Sequence, residues 1–372
     1  MTSSNHFARP RIVLARGPRA GEQALLDSIE HSLEVLGQQV LARPIHLLVP
    51  SHSLRDHLLD RLVRSRQRSV AGVTCWTLRG LAREILERAG EKPPVGGHVL
   101  PILVRRAARR EHALRECLEH LRDGYGSLVG TVTDLLEAGL DPAHCEAIEE
   151  SLSAEGRTVA TAAEIRRARS LVRVANHVQE ELEALDLGAV SALLKRATEV
   201  LDTHPHPLLP CSGLHVYGFA DATGLATDLV LASIKRYGGT VYLDNPPDPA
   251  DWQQDEPAVE FGRRFNERLL DLGKVESASD DTSGPPAISL VSALGTQAEV
   301  REIGWRIRGL LDNGARPEGI AVVARQPGPY RSALRTHFRR LAIPFSAVAS
   351  PGPQLPMGRQ IQALLELLER RG

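Results

Sequence analysis

The chain of 372 residues is 42% hydrophobic and 24% charged, with a formal net charge of −1. That balance excludes a disordered or strongly polybasic chain and leaves room for two or three domains. No apolar run approaches the roughly 20 residues that cross a bilayer, and the chain does not open on a secretory signal, so no membrane association is expected. Cys75, Cys117, Cys145 and Cys211 lie far apart without C-x-x-C spacing, which argues against a zinc site or a disulfide frame and for a reducing, cytoplasmic setting.

The first ninety or so residues alternate between strand and helix patterns. An apolar run at 12–15 predicts a strand that enters a Gly/Pro turn, with a helix over 21–36. A strand at 45–49 leads through Pro50, Ser51, His52 and Ser53, a turn and N-cap, into a helix over 54–64. A short strand at 72–75 leads to Thr77 as cap and a helix over 78–89. This is the pattern of a parallel α/β layer.

Residues 91–97 then form a Pro/Gly linker, and from about 98 to 203 the spacing of apolar residues is helical. Leu100, Leu103, Val104 and Ala107 share one face, as do Leu171, Val174, Val178, Leu182 and Leu185. His204, Pro205 and His206 read as a Pro-rich loop rather than a metal site. The α/β pattern returns with a strand at 214–219, a helix over 225–236 and a strand at 240–243. The acidic, Ser-rich stretch 275–286 predicts a loose linker. Beyond it come a strand at 288–292, a helix over 298–311, a strand at 319–324, a helix over 330–341, a short strand at 344–348 and a helix over 358–371. The abrupt end at Gly372 predicts a boundary within a longer protein.

Positive charge is nearly all arginine, with lysine at 92, 195, 235 and 274 alone. That fits phosphate or carboxylate recognition and, more simply, a GC-rich genome. Charge is also unevenly spread. From Arg55 to Arg110 there are thirteen basic residues against five acids, either a nucleic-acid footprint or a solvated helix face.

The stretch from Arg11 to Leu26 has the layout of a phosphate-binding loop with its catalytic letters changed. A working loop, G-x-x-x-x-G-K-[ST], cradles phosphates with backbone N–H groups, meets the β/γ-phosphates with Lys and holds Mg²⁺ with the hydroxyl. Here Arg16 stands at the first Gly position, followed by Gly17; Gly21 keeps the second, while Glu22 and Gln23 replace the Lys and the Ser/Thr. A carboxylate where a phosphate should sit repels it. An ordinary α/β turn has the same outline.

Several further stretches align in order. His46 to Pro50 with the helix after it, and Val73 to Leu86, resemble the early DNA-contacting motifs of UvrD-like helicases. His215 to Asp221 resembles their Walker B strand. Ala298 to Ile307, Gly319 to Arg325, Tyr330 to Leu334 and Ile343 to Phe345 resemble the opening of the second motor domain. In style the chain is most similar to the AddB family, the RecB/RecC-like helicase-nuclease subunits of double-strand-break repair. The resemblance spans essentially the whole chain and rests on the order of individually weak motifs.

The resemblance implies a parallel-sheet, P-loop-like (RecA-like) helicase domain with a helical insertion, plus the start of a second α/β domain. Its parts would be 1–92 and 207–280 for the two halves of the motor-like domain, 93–206 for the insertion and 287–372 for the second domain. The departures point to an inactive motor. Walker B retains Asp221 without an adjacent Glu, whereas hydrolysis needs one carboxylate for Mg²⁺ and one to place water. Asp244 ends the next strand, as a nucleotide-sensing residue or an Asx-turn before two prolines. Arg325 could face a γ-phosphate or serve a structural partner.

Candidate DNA contacts are Ser51, His52 and Ser53, Thr74, Trp76 and Thr77, and Arg79 and Arg83, one helical turn apart. The strand ends are where parallel sheets bind ligands, and hydroxyls at helix starts suit phosphate contact. Ser53 equally suits a plain N-cap, Trp76 a core position rather than base stacking, and the two arginines a solvated face. The expected function is an ATPase-inactive, DNA-binding or DNA-guiding region of an AddB-type subunit, with no catalytic residue and no nuclease constellation of its own. DNA and a helicase-nuclease partner subunit are the expected partners. No cofactor is expected in this region, with ATP and Mg²⁺ the less favoured alternative. Two other readings stay open: an active motor with an atypical loop, and a protein-interaction scaffold.

Overall fold

The computed structural model describes residues 10–15, 19–67, 69–118, 124–154, 159–219, 222–244, 265–278, 288–324 and 327–346. The chain divides into two compact units, residues 1–283 and 284–372.

The first unit is built on a six-stranded, all-parallel sheet in the order β3-β2-β4-β5-β1-β6. The strands are β1 (Arg11–Ala15), β2 (Ile45–Val49), β3 (Val73–Thr77), β4 (Gly213–Tyr217), β5 (Thr240–Asp244) and β6 (Lys274–Ser277). Helices α1 (Ala20–Leu36) and α2 (His52–Arg66) cover one face. The other carries α3 (Leu78–Arg88), α9 (Val190–Thr203), α10 (Gly224–Tyr237) and a short helix, α11, at 265–270. The strands alternate to suit both layers. Val13, Leu47, Val49, Tyr217 and Tyr242 meet α1 and α2, while Ile12, Leu48, Leu214, Val216 and Val241 meet the opposite helices. Two-sided burial is what parallel strands require, and all five residues of β2 are buried. Leu25, Ile29, Leu58 and Leu62 are fully buried against the first face, each contributing about 1.5–3 kcal/mol by removal from water.

Connections that step toward β3 use α1 and α2 on one face; those that step back toward β6 use the other. A right-handed crossover demands this exchange of faces when the direction reverses. The chain turns back at the edge strand β3, and β4 returns beside β2.

Between β3 and β4 the chain leaves the sheet for α3, α4 (Leu100–Arg110), α5 (His112–Leu118), α6 (Gly124–Glu137), α7 (Pro142–Ala154), α8 (Val159–Ala184) and α9. Helices α4, α6 and α8 close a core of their own around Val104, Val132, Ala175 and Val178. At Gly224, which opens α10, a Cβ would lie 2.3 Å from the carbonyl oxygen of Ala138, just past α6. Only glycine permits that approach.

Several boundaries differ from the sequence expectation. The stretch expected as a linker from residue 275 begins inside β6, which pairs with β1 and is tied to it by Glu276 and Arg11. Polar edge strands lack the two-sided apolar run that betrays a central one. In the second unit, α12 (Thr296–Asp312) and α13 (Pro327–Arg340) form as expected and enclose Val300, Ile307, Ala333 and Phe338. The strands expected at 288–292 and 319–324 do not form: a 3-10 turn at Pro317–Gly319 precedes residues outside any ladder. Ile288, Leu290 and Val323 are 84%, 97% and 92% exposed. Apolar β-branched residues make a strand only beside another strand, and none pairs with them among the described residues. Residues 344–346 are likewise not a strand, and the helix expected over 358–371 lies outside the described residues.

Candidate functional site at the carboxyl edge of the sheet

In parallel α/β sheets ligands bind beyond the carboxyl ends of the strands. β1, β5 and β4 end side by side there. Parallel register sets Ala15 opposite Asp244 and Tyr217 opposite Tyr242. The strand entering the loop thus lies beside the strand that ends in Asp244, and the Walker B-like strand is one further over. Arg16, Gly17, Asp221 and Arg325 lie outside the described residues, as does the side chain of Asp244.

Helix α1 begins at Ala20, so Gly21 and Glu22 fall in its first turn. The Glu22 carboxylate is held from both sides. Oε1 accepts from Arg61 Nε at 3.0 Å and Oε2 lies 2.9 Å from His57 Nε2. Arg61 and His57 stand one turn apart on α2, so the carboxylate ties the first two helices together. Negative charge in a first helical turn is favoured by the helix dipole, and here the protein's own side chain supplies it. Gln23 is also committed: its amide donates to Asp27 Oδ1 at 2.7 Å, and its backbone N–H donates to Arg19 O at 2.9 Å. Glu22 therefore serves the helix pair, while Gln23 is bonded within α1. Sequence reasoning saw the lost lysine but missed the replacement. The available signal was the His57/Arg61 spacing of four.

Beside this, β2 and β3 end together, with Val49 opposite Thr77. The residue that caps α2 is Ser51, not Ser53. Its hydroxyl accepts from Leu54 N at 3.2 Å, and Ser53 lies within the helix. Thr77 caps α3 as expected, accepting from Gly80 N at 3.3 Å. Ser51, His52 and Ser53 are exposed. Two helix N-termini and four polar side chains thus share one edge, the arrangement that meets phosphate oxygens. The space between the ends of β2 and β4 is tight: Gly218, at φ 83°, follows β4 and packs under α2, where a Cβ would lie 2.3 Å from Leu54 Cδ2.

Trp76 points to the other layer with Thr74 two residues before it. Its indole N–H donates to His46 Nδ1 at 2.8 Å, the rings stack with centroids 6.2 Å apart, and His46 Nε2 lies 2.9 Å from Pro210 O. Indole can only donate, so His46 accepts at Nδ1 and carries its proton on Nε2. Burial lowers the His46 pKa, against the opposing pull of the Pro210 carbonyl. This arrangement carries the core reading of Trp76. A second buried imidazole, His215, sits 3.1 Å from Tyr242 Oη, and burial, helped by Arg11, lowers its pKa to about 4. Burial also raises the thiols of Cys75 and Cys211 to about 12 and about 11, which leaves them unreactive at neutral pH.

Arg79 and Arg83 are both exposed on α3. Arg83 lies 3.9 Å from Glu87. Arg79 lines a cavity of about 290 Å³ with Leu100, Thr133, Leu136, Glu137 and Ser191. Burial and then Asp134 raise the Glu137 pKa, and Arg79 partly reverses this.

Part of the basic excess between Arg55 and Arg110 is answered by two carboxylates distant in sequence, Glu22 and Glu181. Arg61 pairs with Glu22, Arg106 with Glu181 at 2.5 Å, and Arg110 reaches Glu181 and His177. Arg105 and Arg109 lie 5.3 and 5.8 Å from the centroid of the Tyr125 ring. Arg55, Arg64 and Arg88 pair locally with Asp56, Asp60 and Glu84.

No family model and no curated protein sequence matches the chain. Among the described residues, no helix is long and apolar enough to cross a membrane.

Proposed function

We propose that this chain is the helicase-like region of an AddB-type subunit in double-strand-break repair, one that binds or guides DNA and has lost nucleotide hydrolysis. The observation that carries the reading is the Glu22 clamp. Strand β1 precedes helix α1 in a parallel α/β layer, and in the first turn of α1 a carboxylate fixed by Arg61 and His57 stands where the resemblance would place the lysine. A γ-phosphate brought there would meet negative charge instead of a cation.

The strand order supports the same reading, since it sets the ends of β1, β5 and β4 next to one another. The RecA-like assignment of the sheet, the insertion role of residues 93–206 and the second-domain role of residues 287–372 belong to this proposal. So do DNA as ligand and a helicase-nuclease subunit as partner. DNA would enter along the Ser51 to Ser53 and Thr77 edge, with Arg79 at its margin.

Fluorescence anisotropy of a labelled tailed duplex, titrated across salt with and without ATP, tests the reading. Binding that weakens steeply with salt and ignores ATP is expected. Binding that changes with ATP would mean the loop still holds nucleotide. No binding at low salt would sink the proposal in favour of a protein scaffold.

A further inference from the structure

The second unit carries a charge pattern that the carboxyl edge of the sheet does not explain. From residue 288 to residue 346 the sequence has nine arginines and four acids, within a chain of net charge −1. The four acids are unevenly engaged. On α12, Glu302 pairs with Arg306, Asp312 with Arg308, and Glu299 accepts from the Tyr330 hydroxyl. Glu318 sits in the 3-10 turn. Helix α13, by contrast, has the sequence PGPYRSALRTHFRR, with four arginines and no acid.

Helical geometry sorts these residues. Ala333 and Phe338 are buried against α12, with Tyr330, Leu334 and Leu341 beside them. The opposite side presents Ser332, Arg335, Thr336, Arg339 and Arg340, all exposed. Arg335 and Arg339 are one turn apart, so their Cβ atoms stand about 5–6 Å from each other. Among the described residues no carboxylate pairs with Arg335, Arg339 or Arg340. Like charges at this spacing work against an isolated helix, and among the described residues no carboxylate offsets them.

We propose that this face of α13 is a contact for the phosphate backbone of single-stranded nucleic acid. Guanidinium groups with short hydroxyl side chains between them donate to phosphate oxygens without reading bases. A protein partner would need an apolar or aromatic anchor at the centre of its footprint, and the outward positions of α13 hold none. The inference rests on the reading of the chain as a DNA-guiding region and adds a second place where the strand is held.

The test compares the full chain with the triple variant Arg335→Gln/Arg339→Gln/Arg340→Gln and with the corresponding triple lysine variant, using a labelled single-stranded oligonucleotide across a salt series. Three lost phosphate contacts should flatten the slope of log affinity against log salt by about 2. The lysine variant should retain the slope, and thermal melting should stay unchanged in both. An unchanged slope in the glutamine variant overturns this inference and leaves the proposed function standing. Equal loss in both variants also overturns it, because charge would then not be the cause. If the unaltered chain binds no oligonucleotide at low salt, both readings fall, and capture of polyglutamate instead would assign the stripe to an acidic protein.

Discussion

The residues from Arg55 to Arg110 and helix α13 are both rich in arginine, yet they differ in what faces the charge. In the first region the guanidinium groups of Arg61, Arg106 and Arg110 meet carboxylates contributed by α1 and α8, and Arg105 and Arg109 lie over the Tyr125 ring. In α13, Arg335, Arg339 and Arg340 are exposed, with no acid on their own helix. Counting charges along a sequence therefore overstates one footprint and understates the other. A paired arginine builds the fold; an unpaired one is available to a polyanion.

The largest expected effect concerns positive charge that the fold admits only at a cost. His215 is held neutral with its pKa lowered to about 4, against about 6.5 when unfolded. Between those values the unfolded chain binds the extra proton. Its contribution is thus full above about pH 6.5 and is lost as pH falls toward 4, about 3 kcal/mol in all. Urea denaturation at pH 7 and pH 4.5 should show this loss, and His215→Gln should remove most of the difference. Equal acid sensitivity in the variant would mean that other groups dominate.

Reversing the clamp comes next. Glu22→Lys places a cation against Arg61 and His57 and at the wrong end of the α1 dipole, so a destabilisation of about 2 kcal/mol is expected. A thermal melt within a degree of the unaltered chain would show that the clamp contributes nothing.

Glu181→Gln should turn part of the paired region into something closer to α13. Arg106, Arg110 and His177 lose their shared carboxylate. Stability should fall by no more than about 1 kcal/mol, while the salt slope of DNA binding steepens. A slope that does not move would place these arginines away from the bound strand. The smallest effect is that of Arg335→Gln alone: melting should shift by less than about 0.5 kcal/mol, with a slope change of about 0.7.

The sequence alone determined the alternation of strand and helix in the first unit, because buried parallel strands and amphipathic helices write their periods locally. Residues 45–49 match β2, and Thr77 caps α3, as the pattern predicts. It also determined that residues 22 and 23 cannot act as Lys and Ser/Thr, since that is a matter of identity. The tertiary structure decided the rest. β6 exists because β1 offers it an unpaired edge, while the apolar runs near Leu290 and Val323 have no strand beside them among the described residues. The cap moved from Ser53 to Ser51 because φ and ψ at the helix start, not composition, place it. Trp76 was ambiguous until His46 supplied an acceptor from the adjacent strand. Glu22 read as a missing lysine until α2 brought Arg61 and His57 to it. Backbone periodicity is local and so is written in the chain, whereas ion pairs and strand partners join residues far apart in sequence and exist only once the chain has closed.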